Sequence, residues 1–344
     1  MSGEAAPQNE QELDNRLSEP ILTARDTCSL MNGDLLILGV AGKMGPTLAR
    51  MARQAKDCLG ARGRVIGAAR FSNPALEPWL HEAGVDTVRC DLLDPAAVQQ
   101  LPAAENIIFM AGQKFGATAN PASTWAMNAL APALAARQFA GARTVVFSTG
   151  CVYANTPIAS GGSLEEDPLE PLGEYANSCV ARERLFSHLA ELHSTPLAIM
   201  RLNYAIDLRY GVLLDVALKV EAGDPIDLAM GHVNVIWQGD ANARAIKLLD
   251  YAAQPPVTLN VTGPETISVR WLAARFGQLL GKAPVLTGEE SPTALLSNAS
   301  RSFGLFGYPT VSTETLIEWT AAWVKRGGGT LNKPTHFQTR DGRY

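Results

Sequence analysis

The chain has little of what marks several common protein classes. Its five cysteines, at positions 28, 58, 90, 151 and 179 of 344 residues, are odd in number and far apart, and no two form a C-x-x-C pair. This spacing predicts neither a disulfide framework nor a zinc knuckle. No apolar run reaches 18 residues and no signal peptide is evident. We therefore expect a soluble protein of a reducing cytoplasm with no membrane partner.

Long basic runs are also missing. The formal net charge is −5 and the sequence pI is about 5.6, so the composition argues against nucleic acid as the main partner. The five histidines are dispersed; His188 and His193 are five apart and do not share one helical face. We expect no metal site. The hydrophobic fraction of 47% is ample for a sizeable core.

Glycines are concentrated where chemistry is expected. An apolar run from Leu35 leads into Gly39, Gly42 and Gly45, and a helical pattern follows from Pro46. This order predicts a strand, a tight turn and a helix. Glycines allow the backbone to approach a pyrophosphate, and the first helical turn offers N–H groups and the positive end of its dipole. The pattern therefore indicates dinucleotide binding, with an ordinary βα turn as the alternative.

Apolar strands and helices then alternate along the chain. We predict strands at 35–39, 64–69, 87–90, 106–112, 144–148 and 197–202, with helices at 44–56, 74–83, from Pro95, 121–138 and 175–193. Continuous apolar strands between helices are typical of a parallel sheet covered on both faces, an α/β Rossmann-type doubly wound fold. Ligands of such folds bind at the carboxyl ends of the strands.

The alternation loosens after residue 202. We predict helices at 211–221, 239–252, 268–280 and 312–325 and strands at 233–237 and 259–261, which together form a smaller substrate lobe with some strands returning to the sheet. The expected organisation is an amino-terminal extension (1–33), partly disordered or with short helices, a Rossmann domain (34–202), a mainly substrate-binding lobe (203–326) and an extended tail (327–344).

Several motifs follow in a characteristic order over roughly residues 34–325. They are the glycines at 39, 42 and 45, Cys90-Asp91-Leu92, Phe109-Met110-Ala111-Gly112-Gln113-Lys114, Asn128, Phe147-Ser148-Thr149-Gly150-Cys151-Val152-Tyr153, Tyr175, Arg201-Leu202-Asn203-Tyr204, Asn234–Asp240 and Leu259-Asn260-Val261-Thr262-Gly263. With these motifs the chain resembles the extended short-chain dehydrogenases/reductases of the NAD(P)-dependent nucleotide-sugar epimerase/dehydratase type.

The resemblance implies a set of cofactor-binding residues. Asp91 would bond the adenine amino group, with Leu92 packing on the ring. Lys114 would reach a cofactor phosphate or the substrate, and Asn128 would hold backbone near the active site. The implied cofactor residues are Gly39, Ala41, Gly42, Lys43, Met44, Gly45, Arg70, Asp91, Leu92, Ala111, Gly112, Lys114, Asn128 and Tyr175.

The end of the second strand bears on the choice of nicotinamide nucleotide. NAD sites usually place a carboxylate there to bind the ribose hydroxyls. This chain has Ala69 and then Arg70, whose guanidinium can pair with a 2′-phosphate, and Ser72 can add a hydrogen bond. We therefore predict NADP as the cofactor, with NAD as the alternative.

The catalytic motif departs from that of the family. The resemblance implies a Ser or Thr, a Tyr and a Lys four residues after the Tyr, but Tyr175 is followed by Cys179, and Gly150 occupies the hydroxyl position. A cation about 4 Å from a phenolate contributes on the order of 4 kcal/mol at an effective dielectric near 20. Without it Tyr175 should be a poor base. Thr149 or Ser148 can supply the missing hydroxyl.

Three functions remain open at this point. The first is an oxidoreductase or epimerase acting on a sugar-like alcohol or ketone, with Tyr175 as proton donor and Thr149 and Ser148 beside it. The second is a non-catalytic NADP-binding sensor or partner-binding protein, and the third is a lyase or isomerase using Glu174 or Asp207. The candidate substrate residues are Lys114, Thr149, Tyr153, Asn203, Tyr204 and Trp237. The resemblance also implies a homodimer through helices 121–138 and 175–193.

Overall fold

The computed structural model describes residues 5–21, 32–333 and 335–343. Its first ordered feature is a short helix, Glu10–Leu17, whose amino end is capped by the side chain of Asn9. Leu13 and Leu17 on this helix are fully buried in the core of the second lobe. The predicted second short helix before residue 32 falls mainly outside the described residues.

Short strands alternate with helices, as the apolar runs predict. The strands in chain order are β1 (Leu35–Leu38), β2 (Val65–Ala69), β3 (Asp86–Arg89), β4 (Asn106–Phe109), β5 (Arg143–Thr149), β6 (Thr156–Pro157), β7 (Leu197–Leu202), β8 (Ala205–Ile206), β9 (Pro225–Asp227), β10 (His232–Val233), β11 (Ile236–Trp237), β12 (Val257–Val261), β13 (Ile267–Ser268), β14 (Val285–Thr287) and β15 (Thr293–Ala294).

The helices cover both faces of the main sheet and build the second lobe. They are α1 (Glu10–Leu17), α2 (Gly45–Leu59), α3 (Leu76–Glu82), α4 (Pro95–Gln99), α5 (Pro121–Trp125), α6 (Ala131–Gln138), α7 (Gly173–His193), α8 (Val212–Ala222), α9 (Gln238–Lys247), α10 (Val269–Leu280), α11 (Ser300–Phe306) and α12 (Thr313–Lys325).

The central sheet is parallel throughout and, within the described ranges, has seven strands in the order β12-β7-β5-β4-β1-β2-β3. The chain order reverses between β1 and β4, which creates a crevice at the carboxyl ends of these strands. This sheet confirms the predicted doubly wound α/β fold. Strand β12 comes from the second half of the chain and extends the sheet beyond β7.

Alternate side chains of the strands enter different hydrophobic cores. Ile37 and Ile108 pack with α2 and α9 on one face, whereas Leu36 and Phe109 pack with α6 and α7 on the other. Phe109 meets Phe186 of α7 edge to face, with ring centroids 5.3 Å apart. A third core, around α8, α10 and α12, holds the second lobe together.

The structure corrects several predicted elements. The helix predicted over 121–138 is interrupted by a π-helical segment, Ala126–Leu130, between α5 and α6. The strand predicted over 233–237 is split into β10 and β11, which pair with different partners. The short strands β6, β8, β9, β13, β14 and β15 and the helix α11 were not predicted. Two- and three-residue strands carry too little periodicity to be recognised in the sequence.

Candidate functional site

A wide cavity, the outer cavity, opens at the carboxyl ends of β1, β2, β3 and β4. Its volume is about 800 Å³. Nine of the predicted cofactor residues line it: Gly39, Ala41, Gly42, Lys43, Arg70, Asp91, Leu92, Ala111 and Gly112. The residues at this edge come from separate strands, and the parallel order of the sheet brings them together.

The glycine turn is shaped for close approach. Gly39 has a φ of +90°, and a Cβ on it would lie 2.6 Å from the backbone of Ala111 on the neighbouring strand. Gly45, at the start of α2, has no room either, because its Cβ would lie 2.2 Å from the carbonyl oxygen of Val40. The turn therefore brings the amino end of α2 to the rim of the outer cavity, and this geometry fits a dinucleotide pyrophosphate.

An exposed arginine, Arg70, directly follows β2. Arg70 lines the outer cavity beside Phe71, Ser72 and Asn73. Across the cavity, Asp91 accepts a hydrogen bond from the backbone N–H of Leu93 at 3.0 Å, and Leu92 is buried. Trp79, which the sequence analysis did not single out, adds an aromatic wall.

A smaller cavity, the inner cavity, continues from the outer one past Gly42, Lys43, Met110 and Gly112, which line both. Its volume is about 290 Å³. The predicted residues Met44, Lys114, Ser148, Thr149, Tyr175, Asn203 and Tyr204 line it, together with Cys151, Arg182, Tyr210 and Thr335. The three predicted catalytic residues are thus within one cavity.

Tyr175 lines the inner cavity together with Thr149. The side-chain oxygen of Thr149 accepts a hydrogen bond from the backbone N–H of Cys151 at 3.1 Å. Burial and the neighbouring thiols of Cys179 and Cys151 raise the pKa of Tyr175 well above its ordinary value, against the opposing effect of Arg182. The phenol is therefore protonated at neutral pH and can donate a proton.

Cys179 occupies the position at which the resemblance implies a lysine. It is fully buried and packs with Val152, Tyr153 and Val180. Burial raises the pKa of its thiol to about 11. The thiol is therefore protonated at neutral pH, as expected of a packing cysteine rather than a reactive thiolate.

Two lysines enter the inner cavity from other elements. Lys43 donates to the carbonyl oxygen of Ala205 at 2.8 Å and its Nζ lies 4.1 Å from the ring centroid of Tyr210. Lys114 donates to the carbonyl oxygen of Thr335 at 3.4 Å, and its Nζ lies 5.8 Å from the ring centroid of Tyr175. Burial lowers the pKa of Lys43 to about 8 and also lowers the pKa of Lys114.

Asn128 does not line either cavity but fixes one wall. Its side-chain oxygen accepts from the backbone N–H of Gln113 at 2.9 Å, and its Nδ2 donates to the Gln113 carbonyl oxygen at 2.9 Å. Arg182 donates to the same Asn128 oxygen and to the carbonyl oxygen of Phe147, both at 2.8 Å. Asn128 therefore positions the segment after β4.

Behind the inner cavity lies a buried ion network. Arg201 pairs with Glu183 at 2.8 Å, and both side chains are at most 7% exposed. Ser148 donates to Glu183 at 2.5 Å, and Arg201 also donates to the hydroxyl of Tyr153 at 2.6 Å. The Ser148 hydroxyl is thus hydrogen-bonded to Glu183. Tyr153, predicted as a substrate residue, packs outside the cavity.

Trp237 also differs from its predicted role. It is 2% exposed and packs edge to face on Trp319, with ring centroids 5.7 Å apart, in the core of the second lobe. Asn203 does line the inner cavity, but its Nδ2 donates to Asn234 Oδ1 at 2.8 Å. Tyr204 lines the cavity with an unusual backbone φ of 42°.

The alternative carboxylates have structural partners. Glu174 accepts from the indole N–H of Trp125 at 2.6 Å. Asp207 accepts from the backbone N–H of Arg209 at 2.5 Å. Neither residue lines the inner cavity.

The carboxy-terminal residues 330–333 and 335–343, here called the strap, are the main feature that was not predicted from the sequence. Thr335 donates to Asp215 of α8 through its backbone N–H at 2.8 Å and its hydroxyl at 2.5 Å. Phe337 is buried, and Arg340 donates to the carbonyl oxygens of Ala229 and Thr293. Leu331 and Lys333 line the outer cavity. The predicted extended tail thus contributes to the walls of both cavities.

Two kinds of feature were not found in the described part of the chain. No group of three or more histidine, cysteine or acidic side chains there could hold a metal ion. No helix there is long and apolar enough to cross a membrane.

Comparison with solved structures places the architecture among known folds. Pal from Bacillus thuringiensis matches at a TM-score of 0.70 with 18% identity, over 85% of this chain and 99% of that chain. UDP-glucose 4-epimerase from Thermus thermophilus, in complex with NAD, matches at 0.67 with 18% identity over 85% and 99%. UDP-glucuronic acid 4-epimerase from Bacillus cereus, in complex with UDP-glucuronic acid and NAD, matches at 0.67 with 16% identity over 85% and 99%.

At these identities the structural matches show the fold alone. No curated protein sequence gives a significant match. The NAD dependent epimerase/dehydratase family profile matches residues 35–206, half of the chain, from β1 through β8. This range includes the glycine turn, Tyr175 and the segments that carry them. The chain therefore belongs to the NAD dependent epimerase/dehydratase family.

Proposed function

We propose that the protein is an NADP-preferring oxidoreductase or epimerase that acts on a sugar or a sugar-derived alcohol or ketone, with Tyr175 as its proton donor. The observation that carries this proposal is the placement of Tyr175. It lines, together with Thr149 and Ser148, a cavity continuous with the one that fits a dinucleotide. A bound nicotinamide would supply or accept the hydride, and the residues of the chain would move the proton.

The protonation state of Tyr175 favours one direction of reaction. Its raised pKa keeps the phenol neutral at pH 7, so the residue is ready to give a proton to a carbonyl oxygen. Oxidation of an alcohol would instead require a phenolate, which the absence of a lysine at position 179 disfavours. Arg182 and Lys114 lie near enough to stabilise the phenolate that forms after donation. We therefore propose carbonyl reduction as the faster direction.

Substrate would be positioned by the other residues that line the inner cavity. Thr149 would share the carbonyl oxygen with Tyr175, and Lys114 and Tyr204 would contact the rest of the molecule. These assignments are supported by the shared cavity. Asn203 would act mainly by holding the cavity wall, because its Nδ2 is already bonded to Asn234.

The cofactor preference is proposed from Arg70. This exposed guanidinium lines the outer cavity at the end of β2, next to Ser72. The four residues after β2 include no carboxylate that would repel a 2′-phosphate. The family as a whole is described as NAD dependent, so binding of both nucleotides must be compared directly.

The alternatives make different predictions. A non-catalytic sensor would bind nucleotide and show no turnover with any substrate. A lyase or isomerase would turn over substrate without transient reduction of the nucleotide, and the positions of Glu174 and Asp207 outside the inner cavity argue against their use as its bases.

The first test combines cofactor binding with one substitution. The wild-type protein should bind NADPH, followed by nicotinamide fluorescence, and reduce members of a panel of small sugar-derived carbonyl compounds. Tyr175→Phe should keep the NADPH affinity and lose about 10²- to 10⁴-fold in kcat, the usual contribution of a general acid. Tyr251→Phe, at an exposed tyrosine that lines neither cavity, is the matched control.

Each outcome separates the candidates. Full activity of Tyr175→Phe would remove Tyr175 as the acid. NADPH binding by the wild type without turnover of any compound would favour the sensor. Failure to bind either nucleotide would contradict the cofactor assignment itself.

We further propose a homodimer formed through the α5–α6 region and α7. Two large apolar side chains in this region are exposed: Trp125 by 38% and Leu130 by 50%. Burial of such side chains against a second copy would remove apolar area from water. The molar mass in solution tests this proposal.

A further inference from the structure

The inner cavity is lined by cations and by no acidic side chain of the described chain. Lys43, Lys114 and Arg182 all line it, whereas no aspartate or glutamate of the described chain does so. Asp207 attracts Lys43 and Asp215 attracts Lys114 from outside this lining, and Asp215 also accepts two hydrogen bonds from Thr335. A buried cation is costly unless an anion or hydrogen-bond acceptors offset its desolvation. The cavity is therefore electrostatically suited to a ligand that carries negative charge.

The three cations differ in which cavity they line and in what holds them. Arg182 donates to Phe147 and Asn128 at 2.8 Å, which fixes its guanidinium. Lys43 lines both cavities and is held between the Ala205 carbonyl oxygen and the Tyr210 ring. Lys114 lines only the inner cavity and donates to the Thr335 carbonyl oxygen, a neutral acceptor. Lys114 is thus the lysine that a ligand of the inner cavity alone would meet.

The strap limits the size of that ligand. Thr335 forms part of the cavity wall and is anchored to Asp215 on α8. Phe337 and Arg340 anchor the following residues in the second lobe. The remaining volume of about 290 Å³ is near the lower end, roughly 300 Å³, of pockets that bury drug-sized ligands. A monosaccharide-sized molecule fits such a volume better than a nucleotide-linked sugar.

From the cation-only lining and the anchored strap, we infer that the inner cavity takes a small carboxylate-bearing polyol or keto-polyol, a free sugar acid, and that Lys114 is the partner of its carboxylate. This inference rests on the proposed function and names the substrate class of the same site. With the carboxylate at Lys114, 5.8 Å from the ring centroid of Tyr175, a hydroxyl or carbonyl elsewhere on the same molecule can reach the phenol.

The test compares carboxylates with their neutral counterparts. The full chain, saturated with NADPH, is titrated calorimetrically with D-gluconate, D-galactonate, D-glucuronate and D-galacturonate, each matched by the corresponding hexitol or hexose. UDP-glucuronate and glucose 6-phosphate are titrated in parallel. We expect at least one carboxylate to bind about tenfold or more tightly than its neutral match, and neither the nucleotide-linked nor the phosphorylated sugar to exceed it.

Two variants assign the preference to Lys114. Lys114→Met should remove the carboxylate preference by about tenfold or more while leaving the affinity for NADPH unchanged, and Lys114→Arg should restore most of it. The thermal unfolding midpoint and NADPH titration of each variant show that it is folded. If Lys114→Met instead weakens NADPH binding and keeps the carboxylate preference, Lys114 serves the cofactor and the inference is wrong.

The remaining outcomes are equally decisive. Equal binding of neutral and acidic sugars, or tighter binding of UDP-glucuronate, would overturn the inferred substrate class. These outcomes are distinct from failure of the proposed function, which would appear as absent NADPH binding or as full activity of Tyr175→Phe. A carboxylate preference that depends on Lys114 would stand even if no turnover were detected.

Discussion

The two connected cavities differ in which part of the chain, backbone or side chain, forms their walls. The outer cavity is shaped largely by backbone: the glycine turn, the amino end of α2 and the carboxyl ends of four parallel strands. The inner cavity is shaped by side chains from distant parts of the chain, including Lys114, Tyr175, Tyr210 and Thr335. Backbone geometry follows from local residue pattern, whereas a side-chain cavity depends on tertiary packing. The first cavity could therefore be predicted largely from the sequence, whereas the lining of the second depends on contacts between distant residues.

The buried network behind the inner cavity gives the largest expected effect on stability. Glu183→Gln would leave the guanidinium of Arg201 buried without its carboxylate, and breaking a buried pair in this way costs about 3–5 kcal/mol. Chemical denaturation should show this loss. Glu166→Gln, in the exposed pair with Arg301, is the matched control and should cost less than about 1 kcal/mol.

The Glu183→Gln variant also tests whether the two cavities act independently. Ser148 links the network to the inner cavity, so folded Glu183→Gln protein should lose turnover more than NADPH affinity. An equal loss of both would mean that the two cavities are not independent, and a loss as small as that of Glu166→Gln would mean that the network contributes little.

The outer cavity can be probed through its cofactor preference. Arg70→Ala should weaken NADPH binding by about 10- to 100-fold, because hydrogen bonds to charged groups contribute about 1.5–3 kcal/mol. NADH affinity should change by less than about twofold, since NADH has no 2′-phosphate. Fluorescence titration measures both, with exposed Arg137→Ala on α6 as a control. Parallel loss of NADPH and NADH binding would contradict the role given to Arg70.

The smallest expected effect is a pH dependence of the NADPH affinity, caused by Lys43, which lines both cavities. Lys43 has a pKa of about 8, lowered first by burial and then by Arg209 and Lys114, against the attraction of Asp207. It is charged below that pH and neutral above it, and a positive charge favours the anionic cofactor. NADPH affinity should therefore fall, by roughly threefold to tenfold, as pH rises from 7 to 10.

Bound cofactor would itself raise the pKa of Lys43, so the fall should begin above pH 8. Lys43→Met should bind NADPH more weakly at pH 7, and its affinity should depend less on pH. An unchanged pH profile in this variant would assign the dependence to another group, of which Lys114, with its own lowered pKa, is the first to examine.

The parallel sheet could be predicted from the sequence because each strand is a continuous apolar run. Leu35–Leu38 and Asn106–Phe109 are buried along their whole length, as a doubly covered strand must be. The predicted ends and interruptions of the helices and strands were less accurate. The π-helical segment Ala126–Leu130 has no distinct composition, and it is recognised only by its backbone hydrogen bonds.

Individual site residues were harder to assign than the fold. Tyr153 and Tyr175 both fit a family motif in the sequence, but Tyr153 Oη is bonded to Arg201 and Asn260 outside the cavity. Trp237 was a candidate substrate residue, yet it packs against Trp319. An aromatic residue looks the same in a sequence whether it faces a ligand or a core.

The doubly wound sheet, the glycine turn at its crevice and Cys179 at the position expected for a lysine could all be predicted from the amino-acid sequence. These features depend on residues close together in the chain and on the chirality and period of strands and helices. The sequence also grouped Lys43 and Lys114 with Tyr175, but the folded chain was needed to show that the strap reaches this cavity and that Thr335 lines it. Thr335 is 120 residues from its anchor Asp215 and 221 from Lys114, and contacts at such separations arise from packing, which no local pattern encodes.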